Sequence, residues 1–158
     1  VRDDGCRFLD AVSGTFNLPL GYSHPAVLEA SVRQLKTLPH LSSTFAAPYA
    51  QELLDALLPF APEGIDAGWV RDIGGSTANE GAVKMALRYT GGSDVITLFG
   101  SHHGQTLFTT SVSGQAFRRK ALPAAWSPLA LQVPAPNCRR CVYEQTFPDC
   151  GLLCATRI

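Results

Sequence analysis

The sequence predicts an α/β fold built on a parallel sheet, and three observations carry that expectation. An apolar run, Gly68-Trp-Val-Arg-Asp-Ile73, leads directly into Gly74-Gly75 and a helical pattern. That pattern stops at Gly91-Gly92. A second apolar run, Asp94-Val-Ile-Thr-Leu-Phe99, follows, as expected of a strand buried on both faces. Strand, helix, strand in this order calls for a right-handed crossover between parallel strands.

Taken from the start, Gly5 to Val12 alternates loosely and reads as a strand or hairpin arm. Gly21-Tyr-Ser-His-Pro25 is a turn, with Pro25 placed at the first position of a helix. Leu28, Val32 and Leu35 then mark one apolar face up to Leu38-Pro39. A second helix is predicted from about Pro48 to Leu58, striped by Ala50, Leu53, Leu54 and Leu57 and ended by Pro59 and Pro62. The third helix, after Gly74-Gly75, carries Ala78, Ala82, Met85, Ala86 and Tyr89 on one side. Five of the chain's eleven prolines fall between Pro123 and Pro148, which reads as a long loop without periodicity.

Composition narrows the function classes. The chain of 158 residues is 46% hydrophobic and 16% charged, enough for a domain with a core. Thirteen basic residues balance thirteen acidic ones. No basic field for nucleic acid exists, and Arg118-Arg119-Lys120 is too short to supply one. No stretch approaches the roughly 18 apolar residues of a membrane span. Five cysteines, an odd number, suit a reducing, cytoplasmic compartment better than a disulfide framework. Val1 opens the chain without a methionine or a signal-peptide pattern and reads as a boundary made by cutting or by incomplete sequence.

Two turns concentrate the chemistry. A glycine turn opening a helix points backbone N–H groups and the positive helix end at one spot, which suits a phosphate. Here Gly75-Ser76-Thr77 occupies that place. The spacing is neither G-x-G-x-x-G nor a P-loop, because Gly81 is followed by Ala82. Thr77-Ala-Asn-Glu80 matches a capping box, so an ordinary capped helix is the plain alternative. The second turn, Phe99-Gly-Ser-His-His-Gly-Gln-Thr106, sets His102 and His103 at a strand end, where neighbours point opposite ways and do not share a metal. Ser101 is not in an esterase elbow. An anion cradle beside a planar, polar-edged side chain is what a phosphorylated aromatic cofactor requires.

Together these motifs resemble the class III, pyridoxal-phosphate-dependent aminotransferases, the group of the 4-aminobutyrate and ornithine enzymes. Asp4-Gly5 through Asp10, Ser13-Gly14 and Leu20-Gly-Tyr-Ser-His-Pro25 resemble that family's N-terminal segment. Gly75 to Glu80 resembles its phosphate turn and Ser101 to Thr106 its ring-stacking turn. The resemblance implies a partial fold-type-I transferase: an N-terminal arm plus the first strands and helices of the large domain. Residues 1–42 would contribute to the small domain and 43–158 would begin the large one. Gly75, Ser76 and Thr77 would hold the cofactor phosphate, though Thr77 stands where the family commonly has Glu. His102 would cover the ring where the family has Tyr or Phe, with His103 and Gly104 completing the turn. Gly14, Thr15 and Phe16 would line the substrate entrance, with plain packing equally open for Phe16. The implied substrates are an amine or ω-amino acid and a 2-oxo acid, and the implied parent is a homodimer.

Transamination also needs a lysine that holds the cofactor and shuttles a proton. The lysines here are Lys36, Lys84 and Lys120. None is expected at a strand end facing the pocket, so this chain is expected to supply no catalytic residue and to be inactive alone. Racemases, decarboxylases and aminomutases of the same family, or a non-catalytic or metal-bound interaction module, are the alternatives. The segment 137–155 holds Cys138, Cys141, Cys150 and Cys154 as C-x2-C-x8-C-x3-C. Four such thiols suit zinc or an iron–sulfur cluster, or stay reduced as structural thiols, or serve as a disulfide or in redox chemistry.

Overall fold

The computed structural model describes residues 3–70, 72–120, 123 and 130–157. Val1, Arg71 of the first apolar run and residues 124–129 of the proline-dense stretch lie outside the described residues. The chain divides into two compact units, residues 1–68 and 69–158.

The first unit is helical. α1, Ser13–Phe16, is a single turn of left-handed backbone, with φ of 52°, 59°, 65° and 67°. α2, Pro25–Thr37, begins at the proline whose missing N–H costs nothing there. The Gln34 side-chain amide donates to the Leu38 carbonyl at 2.8 Å and helps close its end. α3, Pro48–Leu57, runs into a 3-10 turn at Leu58–Phe60 that contains Pro59. The apolar faces read from the sequence remain open: Leu28, Leu35 and Leu57 are each more than half exposed. The expected strand over 5–12 is absent. Asp10 holds that stretch as a loop by accepting the Val12 and Gly14 N–H groups at 2.8 and 2.7 Å.

The second unit contains the sheet. α4, Gly75–Thr90, ends where Gly91 takes φ 70° and donates to the Leu87 carbonyl, the left-handed stop that only glycine adopts without strain. β1, Val95–Leu98, pairs in parallel with β2, Ala130–Val133, in the register Val95↔Ala130 to Leu98↔Val133. Between them lie α5, Leu107–Val112, and α6, Ala116–Arg119. A 3-10 turn at Cys138–Arg140 and the short α7, Leu153–Thr156, follow. The described residues of the run 68–73 do not form the expected strand, because a parallel strand exists only beside a partner and no described residue offers one. β2 lies inside the stretch read as loop, since four residues among prolines show no usable period.

β1 is not buried on both faces. Val95 and Thr97 turn inward, while Ile96 and Leu98 stay 54% and 39% exposed beside Leu131. The expected apolar stripe of α4 is likewise open: Met85 is half exposed and Tyr89 almost wholly so. What is buried is small and polar. Thr109 and Ser113 are fully enclosed, joined by Thr97, Ser111, Val112 and Val133. Burying such groups costs least when they are bonded. Ser113 complies: its hydroxyl donates to the Thr109 carbonyl at 2.6 Å and accepts the His103 N–H at 3.0 Å.

Candidate functional site

α4 opens without a side-chain cap. Gly74 is extended there, and its carbonyl takes both the Ala78 N–H and the Thr77 hydroxyl. The N–H groups of Gly75, Ser76 and Thr77 meet no acceptor among the described residues. A Cβ built on Gly74 or Gly75 would meet nothing within 4 Å, so these two residues are open on their Cα side. Three free amides at a helix start form an anion site, reinforced by the helix dipole.

The capping box expected from Thr77 and Glu80 does not form. Glu80 instead takes the hydroxyl proton of Thr106, 26 residues onward. The capping box belongs to α5, where Thr106 accepts the Thr109 N–H and Thr109 accepts the Thr106 N–H. α4 starts at Gly75, earlier than a box from Thr77 would begin it, and its N-cap, Gly74, has no side chain to offer the first amides.

The second turn lies directly against this helix start. The Gln105 N–H donates to the Ser76 hydroxyl oxygen at 3.0 Å. With that lone pair occupied, the Ser76 proton is available to an anion. The Asn79 side-chain amide donates to the His103 carbonyl at 2.7 Å. Gly104 has φ 140°, and a Cβ there would lie 2.5 Å from the Ser76 and Thr109 hydroxyl oxygens. Only glycine allows this approach. The structure therefore brings Gly75, Ser76, Thr77, His102, His103 and Gly104 to one place. His102 is exposed and His103 half-buried, its Nε2 enclosed without a partner. Thr97, whose hydroxyl is also unpartnered, lines the same cavity of about 160 Å³ as His103.

These residues fit a phosphorylated planar ring: amides and a hydroxyl for the phosphate, and an open imidazole on the adjoining turn. Asn79, Glu80 and Thr106 were not singled out as site residues from the sequence. Their signal was present, since Ser76, Asn79 and Glu80 stand at i, i+3 and i+4 on one helix face.

Gly14, Thr15 and Phe16 form the left-handed turn of the first unit, with the Phe16 ring 84% exposed. Asp10 anchors the turn, and its carboxylate also accepts the Tyr22 hydroxyl at 2.7 Å. The Tyr22 bond first, then the Gly14 and Val12 amides, hold the Asp10 carboxyl below its usual 3.8. The same bond, then the nearby negative charge, pushes the Tyr22 phenol above its usual 10.0. Neither residue was marked as an anchor from the sequence.

Cys138, Cys141, Cys150 and Cys154 are free thiols that line one small apolar cavity with Val142, Phe147 and Leu153. Among the described residues no group of three or more His, Cys, Asp or Glu is arranged to hold a metal ion. The zinc or iron–sulfur expectation therefore finds no support among the described residues, although the four thiols line the same cavity. No helix among the described residues is long and apolar enough to cross a membrane.

The profile described as Aminotransferase class-III matches residues 1–154. The acetylornithine aminotransferase of Halalkalibacterium halodurans is 40% identical over 113 residues, which is 72% of this chain and 29% of that protein. The adenosylmethionine-8-amino-7-oxononanoate aminotransferase of Nitratidesulfovibrio vulgaris is 32% identical over 98% of this chain and 30% of its own length. The taurine:2-oxoglutarate aminotransferase of Bifidobacterium kashiwanohense, solved with PLP and glutamate, superposes with a TM-score of 0.76. It is 27% identical and covers 85% of this chain and 30% of its own. This chain thus spans about 30% of the length of each of these proteins.

Proposed function

The chain belongs to the class-III aminotransferase family and holds part of the fold-type-I, pyridoxal-phosphate-dependent transferase fold, and we propose that it is the N-terminal portion of a transaminase. The whole enzyme moves an amino group from an amine or ω-amino acid to a 2-oxo acid. One observation carries this reading above the others: three amides without an acceptor among the described residues, and the Ser76 hydroxyl, open α4 directly against the turn that holds His102.

In this reading Gly75, Ser76 and Thr77 grip the cofactor phosphate, Ser76 adding its hydroxyl proton to the amides. His102 lies over the ring face, with its backbone held through His103 and Gly104. Imidazole is smaller than the phenol or phenyl ring, so ring cover is thinner. When bound there, pyridoxal phosphate supplies the electron sink for the transfer. Gly14, Thr15 and Phe16 shape the substrate entrance, their turn fixed by Asp10. Residues 1–42 belong to the small domain of the whole protein and 43–158 begin the large domain. The parent is a homodimer in the cytoplasm, and the covalent lysine lies outside this chain. Lys84 does not serve: it stands eight residues past Ser76, about 12 Å along the helix, with an exposed side chain.

The test is cofactor binding by the complete polypeptide, followed by cofactor absorbance and fluorescence quenching. Ser76→Ala and His102→Ala are each expected to weaken pyridoxal phosphate by about tenfold, the size of a lost hydrogen bond to a charged group or a lost ring contact. Unchanged affinity in both variants overturns the assignment.

A further inference from the structure

We infer that Asn79 and Glu80 are positioning residues that set how a cofactor lies across the site, by fixing the ring-covering turn against the phosphate-holding start of α4. The inference rests on the reading above and adds two residues that never face the phosphate themselves.

Ser76, Asn79 and Glu80 project from one face of α4 at i, i+3 and i+4. Each reaches a different point of the same turn. The Ser76 hydroxyl takes the Gln105 N–H, Asn79 donates to the His103 carbonyl, and Glu80 takes the Thr106 hydroxyl. The turn cannot slide along the helix or tilt from it without breaking these bonds together. Gly104 brings the two backbones closer than any side chain would permit.

The proton count gives Glu80 a particular place. Thr106 has one hydroxyl proton, and Glu80 receives it. The Thr106 oxygen then accepts from the Thr109 N–H and faces the Thr109 hydroxyl at 2.8 Å. The Thr109 oxygen accepts the Thr106 N–H at 3.1 Å. An ionised carboxylate only accepts, so Glu80 fixes the direction of this set of bonds. Deprived of Glu80, the Thr106 hydroxyl is free to rotate and its bond to the helix is gone.

The amides of Gly75 to Thr77 need neither residue to bind a phosphate, whereas the imidazole of His102 needs both to stay at ring height. Removing Asn79 or Glu80 therefore separates the grip on phosphate from the grip on the ring. A residue that merely stabilised the fold would weaken both alike.

The experiment uses the complete polypeptide and two probes, inorganic phosphate by calorimetry and pyridoxal phosphate by fluorescence with its induced circular dichroism. Glu80→Ala and Asn79→Ala are expected to leave phosphate affinity within about twofold and weaken pyridoxal phosphate by about tenfold, with a changed induced dichroic band. Glu80→Gln is expected to behave as wild type, because its amide oxygen still accepts the Thr106 proton. Asn79 is exposed, so its variant keeps the test open should Glu80→Ala fail to fold. Equal weakening of both probes, a Glu80→Gln variant no better than Glu80→Ala, or unchanged cofactor binding in Asn79→Ala overturns the inference. A wild-type polypeptide that binds no pyridoxal phosphate overturns the functional reading along with it; one that binds it while ignoring these variants overturns this inference alone.

Discussion

Gly104→Ala is the substitution whose outcome the structure constrains most tightly. A methyl group at Gly104 would stand 2.5 Å from the Ser76 and Thr109 hydroxyl oxygens and 2.8 Å from the Ser76 Cα. The hydroxyls can rotate, but the Ser76 Cα is backbone of α4 and yields only if the turn moves away. The residue also holds φ 140°, outside the range of alanine. Backbone strain and overpacking each cost about 1–3 kcal/mol, so the sum is about 2–6 kcal/mol. Gly100→Ala is the matched control. It too has positive φ, 80°, yet a methyl group there meets nothing within 4 Å. Its cost is backbone strain alone, about 1–2 kcal/mol. Urea unfolding of both variants separates the terms, and pyridoxal phosphate titration of the complete polypeptide reads the displacement of the turn. Gly104→Ala is expected to lose more stability than Gly100→Ala and to bind cofactor at least about tenfold more weakly. Equal unfolding midpoints for the two variants would refute the packing argument, and wild-type cofactor affinity in Gly104→Ala would refute the placement of the turn.

Thr106→Val removes the cap of α5 and strands the Glu80 carboxylate, at an expected cost of about 1–2 kcal/mol in urea unfolding, with Thr106→Ser close to wild type. Gly91→Ala, at φ 70° with open space around it, is expected to cost about 1 kcal/mol by the same measurement. Asp10 has a depressed carboxyl pKa, so its hold on the Ser13–Phe16 turn is complete above 3.8 and is lost as pH falls through the lower, folded value. Amide exchange at Gly14 should accelerate in that acid window, and Asp10→Asn should return the Tyr22 phenol towards 10.0 in an ultraviolet titration. Metal analysis of the purified protein should find less than about a tenth of an equivalent of zinc or iron, with the four clustered thiols reactive to a thiol reagent.

Helices were the most legible part of the fold. Pro25 and Pro48 announce helix starts through chemistry local to one residue, and Gly91 announces a stop in the same way. Sheets depend on partners, and there the sequence misleads. The run 68–73 has the composition of a strand but no partner beside it among the described residues, while the poorly patterned Ala130–Val133 has one in β1. The two glycine and histidine turns were visible because their residue types are unusual. Their mutual contact was not, because 24 to 29 residues separate the bonded groups. The state of the cysteines was not legible, because C-x2-C spacing is shared by metal sites and by reduced thiols that line an apolar cavity.

The capping box shows how a local rule and a site compete for the same groups. Thr77-Ala-Asn-Glu80 has the residues to start a helix with Thr77 as its N-cap, and of the three amides such a start would engage only that of Thr77. The helix instead starts earlier, at Gly75, with Gly74 as its N-cap. The Thr77 hydroxyl turns back to the Gly74 carbonyl, and Glu80 gives its acceptor to Thr106. The open helix start therefore follows from a glycine N-cap, which has no side chain to offer the amides, and Glu80 is left to hold the neighbouring turn.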